Sequence, residues 1–193
     1  MRFALRPHLG NDDEEHCFLY KPSKLNIEAF KERKNGHFSV EEIKPHLSDQ
    51  IWDNYFKFAF VRNPWDRFIS ICFFHYKAIQ NNPKIADNFL LELISRPETD
   101  IPHQFRPQSR YLFDHKGDSP INYIGKFENL KADFNIICEK VGIPKTSLGQ
   151  LNQSKHEIYT KYYNSVHLKE KVRDRYIDDI RNFDYKFDNF EDH

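Results

Sequence analysis

The segment from Phe56 to Ser70, Phe-Lys-Phe-Ala-Phe-Val-Arg-Asn-Pro-Trp-Asp-Arg-Phe-Ile-Ser, constrains the fold more than any other, because its pattern changes period in the middle. From Tyr55 to Val61 every residue except Lys57 and Ala59 is aromatic or β-branched, the near-continuous apolar run expected of a strand covered on both faces. Arg62 then stands at the carboxyl end of that strand. Asn63 is a good N-cap, and Pro64 suits the first helical position, since its φ is already helical and its missing N–H would have had no intrahelical partner. A strand running straight into a helix is predicted. The open N–H groups and positive dipole end of that helix favour an anion, and Arg62 offers a planar fork that suits phosphate better than an ammonium does. Ser70 lies two turns along, one turn beyond Asp66 and Arg67, so its hydroxyl can share their face. The competing structural reading has Arg62 paired with a carboxylate and Ser70 facing solvent.

The rest of the chain supplies the elements around this corner. Met1 to Leu9 reads as the tail of a helix, Asn11 to Glu15 as an acidic turn, and Ile27 to Lys34 as a short helix closed by Asn35-Gly36. Ser39 with Glu42 forms a capping-box pattern whose buried side is Val40, Ile43 and Leu47, limited in length by Pro45. His37 therefore falls just before a helix. The helix from Pro64 turns Trp65, Phe68, Ile69, Cys72 and Tyr76 inward and stops before Asn81-Asn82-Pro83. A shorter helix around Ile85 to Ser95 follows, then a loop from Pro97 to Pro107 and a turn-rich stretch from Tyr111 to Pro120. Ile121 to Phe127 is a second strand. Leu130, Phe134, Ile137, Cys138 and Val141 trace a helical stripe closed by Gly142 and Pro144. A last helix is predicted from about Ser165 to Asn182, with Leu168, Val172, Tyr176, Ile180 and Phe183 inward. Alternation of strand and helix argues for a parallel sheet flanked by helices, an α/β fold, in one domain over 1–193.

Composition narrows the functional classes. Lysine plus arginine and aspartate plus glutamate both number 29, so no global field recruits nucleic acid or an anionic membrane, and any positive patch is local. The core is expected to be ring-rich, given 18 Phe and 10 Tyr in a hydrophilic chain, and some rings are open to a sugar-binding face. Cys17, Cys72 and Cys138 show neither a disulfide framework nor metal spacing, and no metal site is expected. Cys72 and Cys138 lie on apolar helical stripes, where a thiol acts as a small hydrophobe; a catalytic thiol is the other reading. No stretch is apolar and long enough for a membrane span, and no signal pattern opens the chain, so a soluble, cytoplasmic protein is expected as written, with an upstream signal or anchor left open. The pattern does not disclose the oligomeric state.

The run Val61-Arg62-Asn63-Pro64-Trp65-Asp66-Arg67-Phe68-Ile69-Ser70 resembles the 3′-phosphate-binding segment of the family 2 sulfotransferases, a group that includes carbohydrate sulfotransferases. Gly36-His37-Phe38-Ser39-Val40-Glu41-Glu42-Ile43 resembles the Gly-His segment of that family, and Ile51 to Phe58 its lead-in to the strand. Phe105-Arg106-Pro107-Gln108, Ile124 to Phe134, Leu151 to His156 and a C-terminal stretch from Tyr176 to Phe187 follow in the family's order. The resemblance covers about Gly36 to Phe187. It implies a sulfotransferase-type, P-loop-like α/β fold and a reaction in which 3′-phosphoadenosine 5′-phosphosulfate (PAPS) gives its sulfuryl group to a hydroxyl of a carbohydrate acceptor, leaving adenosine 3′,5′-bisphosphate (PAP). Arg62 and Ser70 would then hold the 3′-phosphate. His37 corresponds to the histidine that acts as general base in some glycan sulfotransferases; a hydrogen-bonded surface or capping histidine is the alternative. Lys155 is a candidate phosphate contact, against a solvated lysine, and Gln108 and 152–159 resemble parts that surround cofactor or acceptor. Glu128 ends the second strand, where open α/β sheets assemble their sites, but pairing with Arg62 or capping the next helix is favoured over catalysis.

One departure carries its own expectation. The family's 5′-phosphosulfate loop, of the Pro-Lys-Thr-Ala-Gly-Thr-Ser kind, has no counterpart; Lys21-Pro22-Ser23-Lys24 is the nearest imitation and has no glycine. The expectation is that Met1 begins just after that loop, so that the N-terminal strand and the loop are missing and sulfate transfer is impaired. A non-catalytic PAP- or glycan-binding protein that keeps only the 3′-phosphate site is the first rival. A nucleotide kinase-like protein is the second, disfavoured because no Gly-rich loop ends in Lys-Ser or Lys-Thr.

Overall fold

The computed structural model describes residues 2–8, 37–76, 79, 83–146, 148 and 157–188. The turn expected at 11–15, the helix expected at 27–34, Cys17, the segment 21–24 and Lys155 lie outside these residues. In chain order the elements are α1 (Arg2–Leu5), α2 (Val40–Ile43), α3 (Asp49–Asn54), β1 (Phe58–Val61), α4 (Pro64–His75), α5 (Pro83–Ser95), α6 (Ser109–Leu112), β2 (Tyr123–Lys126), α7 (Leu130–Val141), α8 (Val166–Arg175) and α9 (Ile177–Asn182). Short 3-10 turns connect several of them. The protein is a mixed, helix-rich α/β chain whose described strands form one small parallel sheet, β1 beside β2. Two compact units result, Met1–Ala59 with Tyr111–Gly125 and Lys131–Gly149, and Phe60–Arg110 with Lys126–Leu130 and Gln150–His193.

In the first unit, short-range capping does most of the shaping. Ser39 Oγ accepts the Glu42 N–H at 3.2 Å and Glu42 Oε2 accepts the Ser39 N–H at 2.8 Å, closing the predicted capping box on α2. Pro45 converts the continuation into a 3-10 turn at Lys44–His46, as its missing donor requires. The lead into β1 is held by Asn122, whose Oδ1 accepts the Lys57 N–H at 2.7 Å while its own N–H donates to the Lys57 carbonyl at 2.7 Å. Helix α7 buries Phe134, Ile137 and Cys138, and it stops where expected: Gly142 takes φ 72°, Ile143 N–H reaches back to the Cys138 carbonyl at 2.9 Å and Gly142 N–H to that of Glu139 at 3.3 Å. That is the Schellman pattern, and the left-handed φ explains a glycine there. Val141 departs from the predicted stripe and is exposed.

The second unit holds the ring-rich core. Trp65, Phe68, Ile69, Cys72 and Phe73 of α4 pack with Leu90, Leu93 and Ile94 of α5, with Phe105, and with Leu168, Val172 and Tyr176. Phe68, Ile69 and Cys72 are fully buried, and Tyr76, which ends the predicted stripe, is half-buried. Cys72 and Cys138 are free and buried, as expected of small hydrophobes, and burial pushes the Cys72 thiol well up, away from the reactive thiolate.

Two expectations change. Along β1 only Val61 is buried; Phe58, Ala59 and Phe60 are half-buried, and Tyr55 just before the strand is exposed. Among the described residues the sheet has two strands, and the half-buried Phe58, Ala59 and Phe60 show that the cover on both faces implied by the apolar run is incomplete. The predicted single helix from Ser165 to Asn182 is two, α8 and α9, broken at Tyr176 with φ −109° and ψ 27°. No glycine or proline marks the break. Tertiary bonds hold it: the buried Tyr176 hydroxyl donates to the Phe105 carbonyl at 2.9 Å, and the fully buried Asp179 carboxylate accepts the Ser109 N–H at 2.7 Å.

Candidate functional site

Between the last residue of β1 and the first turn of α4 the chain presents Arg62 and Asn63. Asn63 caps α4 as its sequence predicts, its side-chain oxygen accepting the Trp65 N–H at 3.1 Å, with Pro64 at the first helical position. Its amide nitrogen also donates to the Lys186 carbonyl at 3.0 Å, which accounts for a polar side chain only 4% exposed. The helix end is less open than the sequence suggests. Glu128 Oε1 accepts the Asn63 N–H at 2.6 Å and Oε2 accepts the Tyr185 hydroxyl at 3.0 Å. A carboxylate of the chain itself already sits at the positive end of α4, favoured there by the dipole and the free N–H groups. Glu128 thus neither pairs with Arg62 nor caps the helix that follows it; it serves the start of α4.

What faces outward at this corner is the Arg62 side chain, 21% exposed. Its Nε donates to Asp66 Oδ2 at 2.6 Å and its Nη1 to Ser70 Oγ at 2.9 Å. The Phe127 ring lies 4.5 Å from the guanidinium carbon, so the plane of the fork is braced on one face. Of the structural reading weighed for Arg62, the carboxylate pairing is present, in Asp66, whereas Ser70 meets the guanidinium rather than facing solvent alone. The helical spacing explains why, since Asp66 and Ser70 stand four and eight residues after Arg62 on one face of α4. Among the described residues Nη2 has no hydrogen-bond partner, while Ser70 Oγ accepts from Nη1. The remaining planar N–H edge is of the kind that suits a tetrahedral oxyanion.

The main chain of Arg62 is held as firmly as its side chain. Gln108 Oε1 accepts the Arg62 N–H at 2.9 Å and Gln108 Nε2 donates to the Arg62 carbonyl at 2.9 Å. Behind Asn63, Tyr159 places its hydroxyl on Asp188, donating to Oδ2 at 2.8 Å and accepting the Asp188 N–H at 2.8 Å. Burial pushes the Tyr159 phenol far up, so it stays protonated.

The structure brings Arg62 and Ser70 together. His37 lies in the first unit, exposed, with its ring edge-on to Tyr111 at a centroid distance of 6.2 Å, directly before the Ser39 cap. Lys155 falls outside the described residues. Sequence reasoning singled out Gln108 and Glu128 without finding their bonds, and it missed Phe127, Asp179 and Tyr185 as supports of the corner. Among the described residues no cluster of three or more His, Cys, Asp or Glu could hold a metal, and no helix is long and apolar enough to cross a membrane.

A helix-rich α/β chain with an arginine and a serine joined at a strand-to-helix corner defines the class, and comparison with known proteins gives the family. The sequence profile of the sulfotransferase family matches residues 13–186, so the chain belongs to the sulfotransferase family, which supports a transferase role. An uncharacterized protein from Archaeoglobus fulgidus is 24% identical over 125 residues, covering 62% of this chain and 94% of its own length. No solved structure gives a significant match.

Proposed function

We propose that this protein transfers a sulfuryl group from PAPS to a hydroxyl of a carbohydrate acceptor, with the 3′-phosphate of the nucleotide held by Arg62 and Ser70. The observation that carries the reading is the 2.9 Å contact between Arg62 Nη1 and Ser70 Oγ, which sets a guanidinium and a hydroxyl side by side at the end of β1. The site suits a phosphate dianion: the guanidinium supplies charge and a planar N–H edge, and the serine hydroxyl lies directly beside it. Membership in the family supports the donor assignment, and the saccharide acceptor rests on the resemblance to the carbohydrate branch.

In the reaction an acceptor oxygen attacks sulfur, the bond from sulfur to the 5′-phosphate oxygen breaks, PAP leaves with that electron pair, and the acceptor proton passes to a base. Arg62 and Ser70 act in binding: by fixing the 3′-phosphate they set where the distant sulfur sits. His37 is the proposed base, since a neutral imidazole has the basicity for this step near neutral pH. Lys155 is the proposed further phosphate contact.

Calorimetric titration with PAP, paired with a sulfate-transfer assay from PAPS, tests the reading. The chain is expected to bind PAP, and Arg62→Ala to weaken it by about 10- to 100-fold, the worth of charge-assisted hydrogen bonds. His37→Gln is expected to lower turnover while leaving PAP affinity unchanged. PAP binding equal in the parent and in Arg62→Ala would remove the site; binding without any transfer would favour a PAP-binding protein over an enzyme.

A further inference from the structure

We infer that Gln108 and the buried carboxylate of Asp179 are positioning residues for Arg62, acting through its main chain rather than on any ligand. The inference rests on the reading of Arg62 as the 3′-phosphate ligand. Arg62 follows the last residue of β1, where the sheet ladder has ended and the α4 hydrogen bonds have not begun. A residue there has a free N–H and a free carbonyl, and without partners its φ and ψ, hence the direction of its Cα–Cβ bond, would be loosely set. Gln108 supplies both partners from one side chain, Oε1 to the N–H and Nε2 to the carbonyl, each at 2.9 Å. The pattern copies what a neighbouring strand residue would make. Because Arg62 presents one donor and one acceptor, only one orientation of the carboxamide satisfies both.

Asp179 fixes the clamp in turn. Its Oδ2 accepts the Gln108 backbone N–H at 2.8 Å and Gln108 Nε2 at 3.3 Å, while Oδ1 accepts the Ser109 N–H at 2.7 Å. The side chain is 0% exposed, and a carboxylate is costly to bury unless its lone pairs are met. Here three N–H donors meet them, and all three belong to Gln108 or the residue after it. Two of the three bonds fix the Gln108-Ser109 main chain and the third reaches the carboxamide, so the buried charge anchors the glutamine that holds Arg62. The break between α8 and α9 belongs to the same device, since α9 carries Asp179.

The test compares two ligands that differ only in the 3′-phosphate, PAP and adenosine 5′-phosphate, on the full chain and on Gln108→Leu, which keeps the approximate volume and removes both clamp bonds. PAP affinity is expected to fall by about tenfold or more, given how steeply binding depends on placement, while adenosine 5′-phosphate affinity stays within about twofold. Gln108→Glu, nearly isosteric, is expected not to rescue PAP binding, because it cannot donate to the Arg62 carbonyl and it faces Asp179. It also serves as the readout if Gln108→Leu does not fold. Hydrogen exchange supplies a ligand-free measure: the Arg62 amide should exchange faster in Gln108→Leu, which removes its acceptor, while amides within α4 keep their protection. Equal weakening of both nucleotides, or unchanged PAP affinity with an unchanged Arg62 amide, overturns the inference. A parent chain that binds no PAP defeats the reading of the whole corner, whereas a parent that binds and a variant that binds equally defeats the positioning role alone.

Discussion

At Arg62 four side chains converge on one residue: Asp66 and Ser70 hold the guanidinium edge, Phe127 lies against its face, and Gln108 fixes the peptide. A cation so constrained loses little rotamer freedom when a ligand arrives, which favours affinity without adding contacts. Lysine could keep the charge at this position but neither the fork nor the stack. Arg62→Lys is therefore expected to behave nearly as badly as Arg62→Ala in PAP binding. Ser70→Ala removes one hydroxyl and should weaken PAP by about 3- to 10-fold, the worth of one hydrogen bond, with little change in melting temperature because Ser70 is only half-buried. A Ser70→Ala protein with full affinity would show that the serine only steadies the arginine in the free state.

The elements were legible where their signals are local. The Ser39 and Glu42 capping box, the Asn63-Pro64 start of α4 and the Gly142 stop of α7 each depend on residues within a turn of one another, and each occurs as read. The partners of the corner lie far off in sequence: 46 residues separate Arg62 from Gln108, 65 separate Asn63 from Glu128 and 71 separate Gln108 from Asp179. No window of periodicity reaches them. For the same reason the break at Tyr176 went unread, since it is held by distant bonds, to Phe105 and Ser109, and not by a helix-breaking residue. Asn63→Ala should cost about 1–2 kcal/mol by the loss of the cap, read as a lower denaturation midpoint at unchanged slope. Tyr176→Phe leaves the buried Phe105 carbonyl unpaired and is expected to cost about 1–3 kcal/mol. A wild-type midpoint in Tyr176→Phe would mean that packing, not that hydrogen bond, sets the break.

Over the whole molecule, acidic and basic side chains balance at 29 each, so pH acts through particular pairs rather than through net repulsion. His115 Nδ1 lies 2.6 Å from Glu41 Oε1 on the surface of the first unit. The hydrogen bond to Glu41 and then its charge raise the His115 pKa above the ordinary 6.5, and the hydrogen bond from the His115 ring, then its backbone N–H, lower Glu41 below 4.5. The histidine's contribution is complete below pH 6.5 and is lost as pH climbs through its raised pKa; the carboxylate's is complete above pH 4.5 and is lost as pH drops through its lowered one. Both are present between those values. His75 slopes the other way, since burial lowers its pKa and the fold loses stability as pH falls through 6.5. The difference in melting temperature between the parent and His115→Gln isolates the surface pair: it should be largest between pH 4.5 and 6.5 and shrink toward alkaline pH. A difference that does not vary with pH would mean the pair adds nothing.

Local physics wrote much of this protein into its sequence: which stretches extend as strands, where α4 starts, which face of it is buried, and that an arginine and a serine fall on one side of it. These follow from backbone period and from caps that reach no further than one turn. Tertiary structure decided the rest: that a glutamate fills the helix end expected to be open, that a glutamine and a buried aspartate grip the arginine from behind, and that the last helix breaks. Those outcomes turn on which distant polar groups must satisfy one another once water is removed, and only the folded chain fixes that pairing.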